Sequence, residues 1–266
     1  MTMLHIIIVA LIQGITEFLP ISSSGHLILI PQLTGWQDQG LLIDVAVHVG
    51  TLAAILVYFF RDAWALARGG MSLTGLISAP AEKRRFLYIL VGTIPAGVVG
   101  VAFKTLGVTD YLRSVELVAG MLIFYGIVLY WTDKVGAQTR RFEDVTLRDA
   151  LIVGAAQALA LIPGTSRSGV TMSAARLLGF SRTEAARFSF LLSIPAVAGA
   201  GLLVGLDLAE ADVALQRDAL IAGGLTFLAA LGAMAVLMAW LRRASMAVFA
   251  IYRVALGLGL LWWVWS

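Results

Sequence analysis

Fourteen residues near the start of the chain gather an unusual set of groups for so apolar a neighbourhood: Gln13-Gly14-Ile15-Thr16-Glu17-Phe18-Leu19-Pro20-Ile21-Ser22-Ser23-Ser24-Gly25-His26. Gln13 and Glu17 are four apart and share a helical face. Pro20 interrupts the helix and Gly25 permits a tight return. If a second half-helix begins near Ser24, Ser23 lies N-terminal to it and His26 one turn on. The free N–H groups of that helix start, with the hydroxyls of Ser22, Ser23 and Ser24, form an anion site. A second stretch repeats the order of amide, apolar half-turn, proline, hydroxyl run and glycine: Gln157 to Pro163, then Gly164-Thr165-Ser166-Arg167-Ser168-Gly169-Val170-Thr171. Laying Pro20 on Pro163 puts Ser23 over Ser166 and Ser24 over Arg167. Arg167 adds a planar, permanently charged fork suited to phosphate. Nucleophile, base, carboxylate and anion clamp together suit phosphoryl transfer, where catalysis is mostly positioning and charge stabilisation. Ser23 stands three residues before His26, so the favoured reading has Ser23 attack while His26 takes its proton, with direct attack by water, or by His26 itself, left open.

The elements that must position these groups belong to a membrane protein. The chain has 266 residues, 60% hydrophobic and 13% charged, with mean hydropathy +0.91, against about 25% charge in ordinary globular domains. Ionisable groups at membrane depth usually face a cavity and serve function. Broken backbone there is tolerated only where it is buried in protein or lines a cavity. Both motif stretches therefore read as re-entrant helix–loop–helix segments, each carrying half a site. Six spans of the length a bilayer needs are expected at 41–60, 86–103, 114–131, 188–206, 219–241 and 246–265, with loops at 61–85 and 132–148 and a short turn at 104–113. The predicted fold is an all-α polytopic membrane protein: six transmembrane helices plus two re-entrant hairpins in an inverted repeat. It forms a single membrane domain over 1–266, with repeat 1 at about 1–131 and repeat 2 at about 148–266. Corresponding interrupted segments in two halves point to a site at the repeat interface.

Charge orients the bundle. Fourteen of the nineteen Lys and Arg residues fall in the loops at 61–85, 132–148, 176–187 and 242–243, against three in the connections at 31–40, 104–113 and 207–218. The first group is therefore cytoplasmic, both termini lie outside, and the two broken segments enter from opposite faces. Met1–Ile12 has no basic n-region and no small-residue cleavage site after it, so no removable signal peptide is expected. The absence of cysteine excludes disulfides, thiolate metal sites and cysteine nucleophiles. A net charge of +3 gives no footing for nucleic acid. Thr93-Ile94-Pro95-Ala96 and Ser193-Ile194-Pro195-Ala196 echo each other, but on this topology their spans run in the same direction and are not inverted equivalents.

Blander readings compete for several residues. Serine and threonine in membrane helices often only pack, which bears on Ser22 and Ser24. Asp44 and His48 share a face and are read as a second shell or as packing. Arg253, like Arg176 and Arg187, is read as a snorkelling or interface residue. A rival of another class is a secondary transporter, whose common architecture is also inverted repeats with broken helices. It has no need of a nucleophile, although one scaffold could serve both hydrolysis and flipping of the lipid product.

At these residues the sequence resembles the undecaprenyl-diphosphate phosphatase, or bacitracin-resistance, family over nearly its whole length. The signatures are the element from Gln13 to Glu17 followed by Phe18 to His26, and Pro163 to Thr171; the segment from Asp44 through His48 to Thr51 also looks like the family's first full span. The resemblance implies an enzyme of the bacterial inner membrane that removes the terminal phosphate of undecaprenyl diphosphate on the periplasmic side, recycling the lipid carrier for peptidoglycan. It implies catalytic roles for Glu17, Ser23, His26 and Arg167. Substrate contacts are expected from Gln13, Ser22, Ser24, Gly25, Gly164, Thr165, Ser166, Ser168, Gly169 and Thr171. It further implies a divalent cation, magnesium or calcium, on Glu17. Many members have glutamate where this chain has Gln13, which leaves one carboxylate in the first motif. The expected partners are a polyprenyl diphosphate lipid and the membrane, with a homodimer left open.

Overall fold

The computed structural model describes residues 1–108, 112 and 114–266, with the backbone alone for 200 and 203–210. The described residues form helices α1 (Met3–Thr16), α2 (Ser23–Thr34), α3 (Leu41–Tyr58), α4 (Phe60–Met71), α5 (Pro80–Thr105), α6 (Val115–Val135), α7 (Leu147–Leu159), α8 (Arg167–Leu177), α9 (Arg182–Glu210), α10 (Val213–Leu241) and α11 (Ala247–Trp265), and no β-strand. Hydroxyl and carboxylate caps start many of them. Thr2 accepts from the His5 N–H, Thr146 from that of Asp149, and Asp212 from that of Leu215, each satisfying a donor that the first helical turn leaves open.

Helices α3, α5, α6, α10 and α11 are long and apolar enough to cross a membrane. The shortest, α3, has 18 residues and reaches about 27 Å at ~1.5 Å per residue, close to the ~30 Å hydrocarbon thickness. The expected span at 188–206 lies within α9, where residues 200 and 203–206 have only their backbone described. The expected turn at 104–113 and the acidic residues Asp207 and Glu210 also fall partly or wholly outside the described residues.

The stretch 61–85 is not a plain loop, as the sequence suggested, because 60–71 forms α4. Its apolar face is narrow. Leu66 is buried, while Arg61 and Arg68 are exposed or half-exposed, and the helix packs on α5. Asp62 on α4 receives Arg187 Nε at 3.1 Å and Nη2 at 2.5 Å, and this pair ties α4 to α9.

Two packings recur. Helix α1 lies against α10 and α7 lies against α5, while α3 meets α9 and α6 meets α11. Glycine permits the first two. A Cβ on Gly14 would stand 2.7 Å from Ala229 Cβ, and one on Gly154 would collide with the carbonyl of Gly92. The largest apolar cluster surrounds Phe18, Phe59, Phe142, Phe180, Phe188 and Phe190. Phe18 meets Phe190 edge-on with centroids 5.1 Å apart, which anchors the loop after α1 to α9. Burying a side chain of that size contributes roughly 1.5–3 kcal/mol.

Ion pairs of Arg140, Arg176, Arg182 and Arg187 join the helices at the basic end. Arg176 is fully buried, contrary to the snorkelling expected of it. Its guanidinium donates to the carbonyls of Asp133, Gly136, Ala137 and Phe180 and to Asp133 Oδ1. Asp133 also takes Arg182 Nε at 2.7 Å and the Met246 N–H at 3.0 Å. Arg140 forks onto Asp149, and that hydrogen bond raises the arginine pKa above its ordinary value. Arg187 remains partly exposed and joins Asp62, Glu143 and Glu184.

Candidate active site

The two motif stretches fold into two helical hairpins, α1–α2 and α7–α8, and each turns at one strained serine. Ser22 (φ 76°) and Ser166 (φ 71°) are the non-glycine residues with positive φ among those described. Such a conformation costs of order 1–3 kcal/mol and persists only where the surroundings impose it. Each serine caps the helix that follows. Ser22 Oγ accepts from the Gly25 N–H at 3.3 Å, and Ser166 Oγ from the Gly169 N–H at 3.1 Å. Each also lies beside a second hydroxyl, with Ser22 Oγ 3.4 Å from Ser24 Oγ and Ser166 Oγ 3.2 Å from Ser168 Oγ.

This correspondence corrects the register expected from the prolines. Ser22, not Ser23, matches Ser166, and therefore Ser23 matches Arg167. One residue separates Pro20 from its cap serine, whereas Gly164 and Thr165 separate Pro163 from its own. The extra residue is accommodated by Gly164 at φ 89°. In the same register Gln13 and Gln157 each stand nine residues before the cap.

The hairpins meet at Glu17, which is 6% exposed. Its Oε1 accepts from Arg167 Nη2 at 2.7 Å. Its Oε2 accepts from Ser23 Oγ at 2.5 Å and from Gln13 Nε2 at 3.1 Å. His48 Nε2 stands 3.9 Å from the same oxygen. One carboxylate thus ties the hydroxyl of its own hairpin to the guanidinium of the other. Arg167 is further held by the Ser189 carbonyl at 3.4 Å, and Thr171 Oγ1 binds the Arg167 carbonyl at 2.7 Å and Ser189 Oγ at 2.6 Å. Ser168 Oγ donates to the Leu19 carbonyl at 3.0 Å, joining the second hairpin to the loop of the first. A cavity of about 230 Å³ opens on Glu17, Ser23, Ser24, His48, Gln157, Ser166 and Arg167, walled by Ala96 and Ala196 among others. It is smaller than the ~300–1,000 Å³ of pockets that enclose a whole drug-sized ligand.

The structure does not bring His26 to Ser23. Its Nδ1–H donates to the Ser22 carbonyl at 2.7 Å, which leaves Nε2 to accept from the Tyr252 hydroxyl at 2.7 Å. The two rings stack with centroids 5.8 Å apart. The i, i+3 spacing holds, but the ring turns back over the preceding turn and outward to α11. Asp44 accepts from Gln39 Nε2 at 2.7 Å, and it is the Asp44 carbonyl that receives His48 Nδ1–H, at 2.6 Å. Asp44 therefore holds His48 through its backbone, while His48 itself reaches the cavity wall.

Arg253 carries more of the site than its span position suggested. It is fully buried, so the snorkelling reading is wrong for it too. Its guanidinium donates to Pro20 of the first hairpin and to Gly164 and Thr165 of the second. The carbonyls of Met121 and Leu122 on α6 complete the set. One side chain therefore locks both loops to α6 and α11. Gly169 is required beside it, since a Cβ there would stand 2.9 Å from Arg253 Nη1. Ala96 and Ala196 were also missed, although both belong to the Ile-Pro-Ala echo.

Among the described residues no three His, Asp or Glu side chains cluster to hold a metal ion. Glu17 is one carboxylate already shared by three donors, while Gln13 Oε1 is buried without a partner. This donor set fits a cation that brings phosphate ligands with it, not one caged by protein alone.

The chain matches the family model of bacitracin resistance protein BacA over residues 6–259. It is 57% identical over 282 residues to an undecaprenyl-diphosphatase of Erythrobacter litoralis, covering 98% of this chain and 99% of the relative. It is 49% identical to that of Ruegeria pomeroyi, with 98% of each covered, and 46% identical to that of Roseobacter denitrificans, with 100% of each covered. With the two capped hairpins and their shared Glu17, these matches establish that the chain belongs to the bacitracin resistance protein BacA family.

Proposed function

We propose that the chain is an integral-membrane phosphatase that removes the terminal phosphate of undecaprenyl diphosphate. It thereby returns undecaprenyl phosphate to peptidoglycan synthesis and confers resistance to bacitracin. In this reading it crosses the bacterial inner membrane six times and carries two re-entrant hairpins in an inverted repeat, with repeat 1 at about 1–131 and repeat 2 at about 148–266. The cavity opens to the periplasmic side, an orientation supported by the excess of Lys and Arg on the opposite loops.

One observation carries the reading: Ser23 Oγ donates to Glu17, whose other oxygen binds Arg167 from the opposite hairpin. The terminal phosphate enters the cavity and takes the fork of Arg167 and the N–H groups that start α2 and α8. Glu17 then accepts the Ser23 proton as Ser23 Oγ attacks phosphorus in line. The new Oγ–P bond forms, the bridging P–O bond breaks, and undecaprenyl phosphate leaves with the proton that Glu17 took, so the carboxylate is again free. Water then gives a proton to Glu17 as its oxygen attacks the phosphoserine; the Oγ–P bond breaks, Glu17 returns that proton to Ser23 Oγ, and phosphate departs. His26 acts at one remove, fixing α2 to α11 through Tyr252 and holding the Ser22 carbonyl. His48 adds an imidazole beside Glu17, and Gln13 orients the carboxylate. If a magnesium or calcium ion accompanies the diphosphate, Glu17 and Gln13 Oε1 are its protein oxygens, and it supplies charge neutralisation at the phosphate.

Glu17→Gln tests the assignment, because the amide keeps the shape and loses the base. Turnover of undecaprenyl diphosphate is expected to fall by about 10²–10⁴-fold in a variant that purifies as a folded protein. Activity within about tenfold of the unsubstituted protein would remove Glu17 as the base.

A further inference from the structure

We infer that Gln157 is a phosphate-binding residue of the cavity, its amide donating to an anion that the ligand supplies. Gln157 sits on α7, is 4% exposed and lines the same cavity as Glu17, Ser23 and Arg167. Neither Nε2 nor Oε1 has a hydrogen-bond partner in the protein. Buried amides are almost always partnered, because an unpaired one carries its full desolvation cost.

The other hairpin shows what is missing. Gln13 holds the corresponding place, nine residues before its cap serine, and donates Nε2 to Glu17 four residues on, at 3.1 Å. Four residues after Gln157 the chain has Leu161, which also lines the cavity. The sequence therefore provides the amide twice and the carboxylate once. On the second hairpin the place of that carboxylate is open to an anion from outside, next to Arg167 and to the N-terminus of α8. A phosphate oxygen of a diphosphate monoester satisfies Nε2 there, and Oε1 accepts from water entering with it. This rests on the phosphatase reading above and adds a recognition residue to it.

The test uses the full-length protein in detergent, with inorganic pyrophosphate as the probe and calorimetry to read its affinity. Gln157→Leu keeps the bulk and removes the amide. Its affinity for pyrophosphate is expected to fall at least about tenfold (about 1.4 kcal/mol), and KM for the lipid diphosphate to rise. Its unfolding temperature without ligand should hold or increase, since an unpaired buried amide has gone. A residue that only supported the fold would give the opposite pattern, a lower unfolding temperature with unchanged affinity, and that result overturns the inference. Gln157→Glu, which keeps the shape and replaces the donor by an acid, should weaken pyrophosphate as well. If it binds as the unsubstituted protein does, or if both variants fail to fold, Gln157 is structural and the inference is wrong. If the unsubstituted protein itself binds no pyrophosphate and releases no phosphate, the phosphatase reading fails and takes this one with it.

Discussion

Arg253→Lys is the substitution whose effect follows most directly from the geometry. The three guanidinium nitrogens of Arg253 donate to five carbonyls: Pro20, Gly164, Thr165, Met121 and Leu122, at 2.8–3.3 Å. A lysine ammonium keeps the charge but has three donors on a single nitrogen. It leaves at least two of these five contacts unmade, and each hydrogen bond from a charged donor is worth about 1.5–3 kcal/mol. The protein should lose roughly 3–6 kcal/mol, and at ~2–4 °C per kcal/mol its unfolding temperature in detergent should drop by at least about 6 °C. Activity should fall further than stability, because the lost contacts join the two loops that aim Ser23 and Arg167. A misplacement of about 1 Å at a reacting centre costs ~10²-fold. Thermal unfolding and phosphate release, measured on the same preparation, separate the two effects. If the unfolding temperature stays within about 2 °C and turnover within about twofold, Arg253 does not lock the hairpins.

Arg167→Lys should lose most of its turnover, by about 10²-fold or more, because a point charge cannot serve both Glu17 and a phosphate as the planar fork does; near-normal kinetics in a folded variant would contradict the clamp. A reporter fused after Ser266 should lie on the outer side of the inner membrane, given fourteen basic residues on one set of loops against three on the other. A cytoplasmic signal would reverse the orientation and the periplasmic access with it.

The apolar runs made α3, α5, α6, α10 and α11 readable as spans, because apolar stretches of about twenty residues leave few alternatives even where they carry Asp44, His48 or Arg253. The two hairpins were legible from cost, since Glu17 and Arg167 are too expensive at membrane depth to lack partners. That they are each other's partners required the three-dimensional meeting of α1 and α8. Helix α4 was hidden because its apolar face is narrow, and a sparse pattern among arginines reads as a loop. The register between hairpins was off by one because proline marks a turn without fixing how many residues precede the cap. Ser22 and Ser166, held at positive φ, fix it, but backbone strain leaves no sign in residue type when the residue is not glycine. His26 faced Tyr252 rather than Ser23 because spacing along a helix gives neighbours, not the direction in which a ring turns. Arg253 and Arg176 stood among apolar residues at a span and near a helix end. From sequence a snorkelling arginine and one coordinated by five backbone carbonyl or carboxylate contacts look alike, and only the fold distinguishes them.

Phosphate release from undecaprenyl diphosphate by the purified protein, with Ser23→Ala beside it, is the decisive measurement. The unsubstituted protein should release one phosphate per lipid and leave undecaprenyl phosphate. Ser23→Ala should retain pyrophosphate binding, because Arg167 and the helix N–H groups remain, and lose turnover by several powers of ten. A phosphoenzyme trapped on Ser23 would fix the covalent route. No phosphate release from the unsubstituted protein, or a Ser23→Ala variant within about tenfold of it, would contradict a serine nucleophile held by Glu17 between the two hairpins.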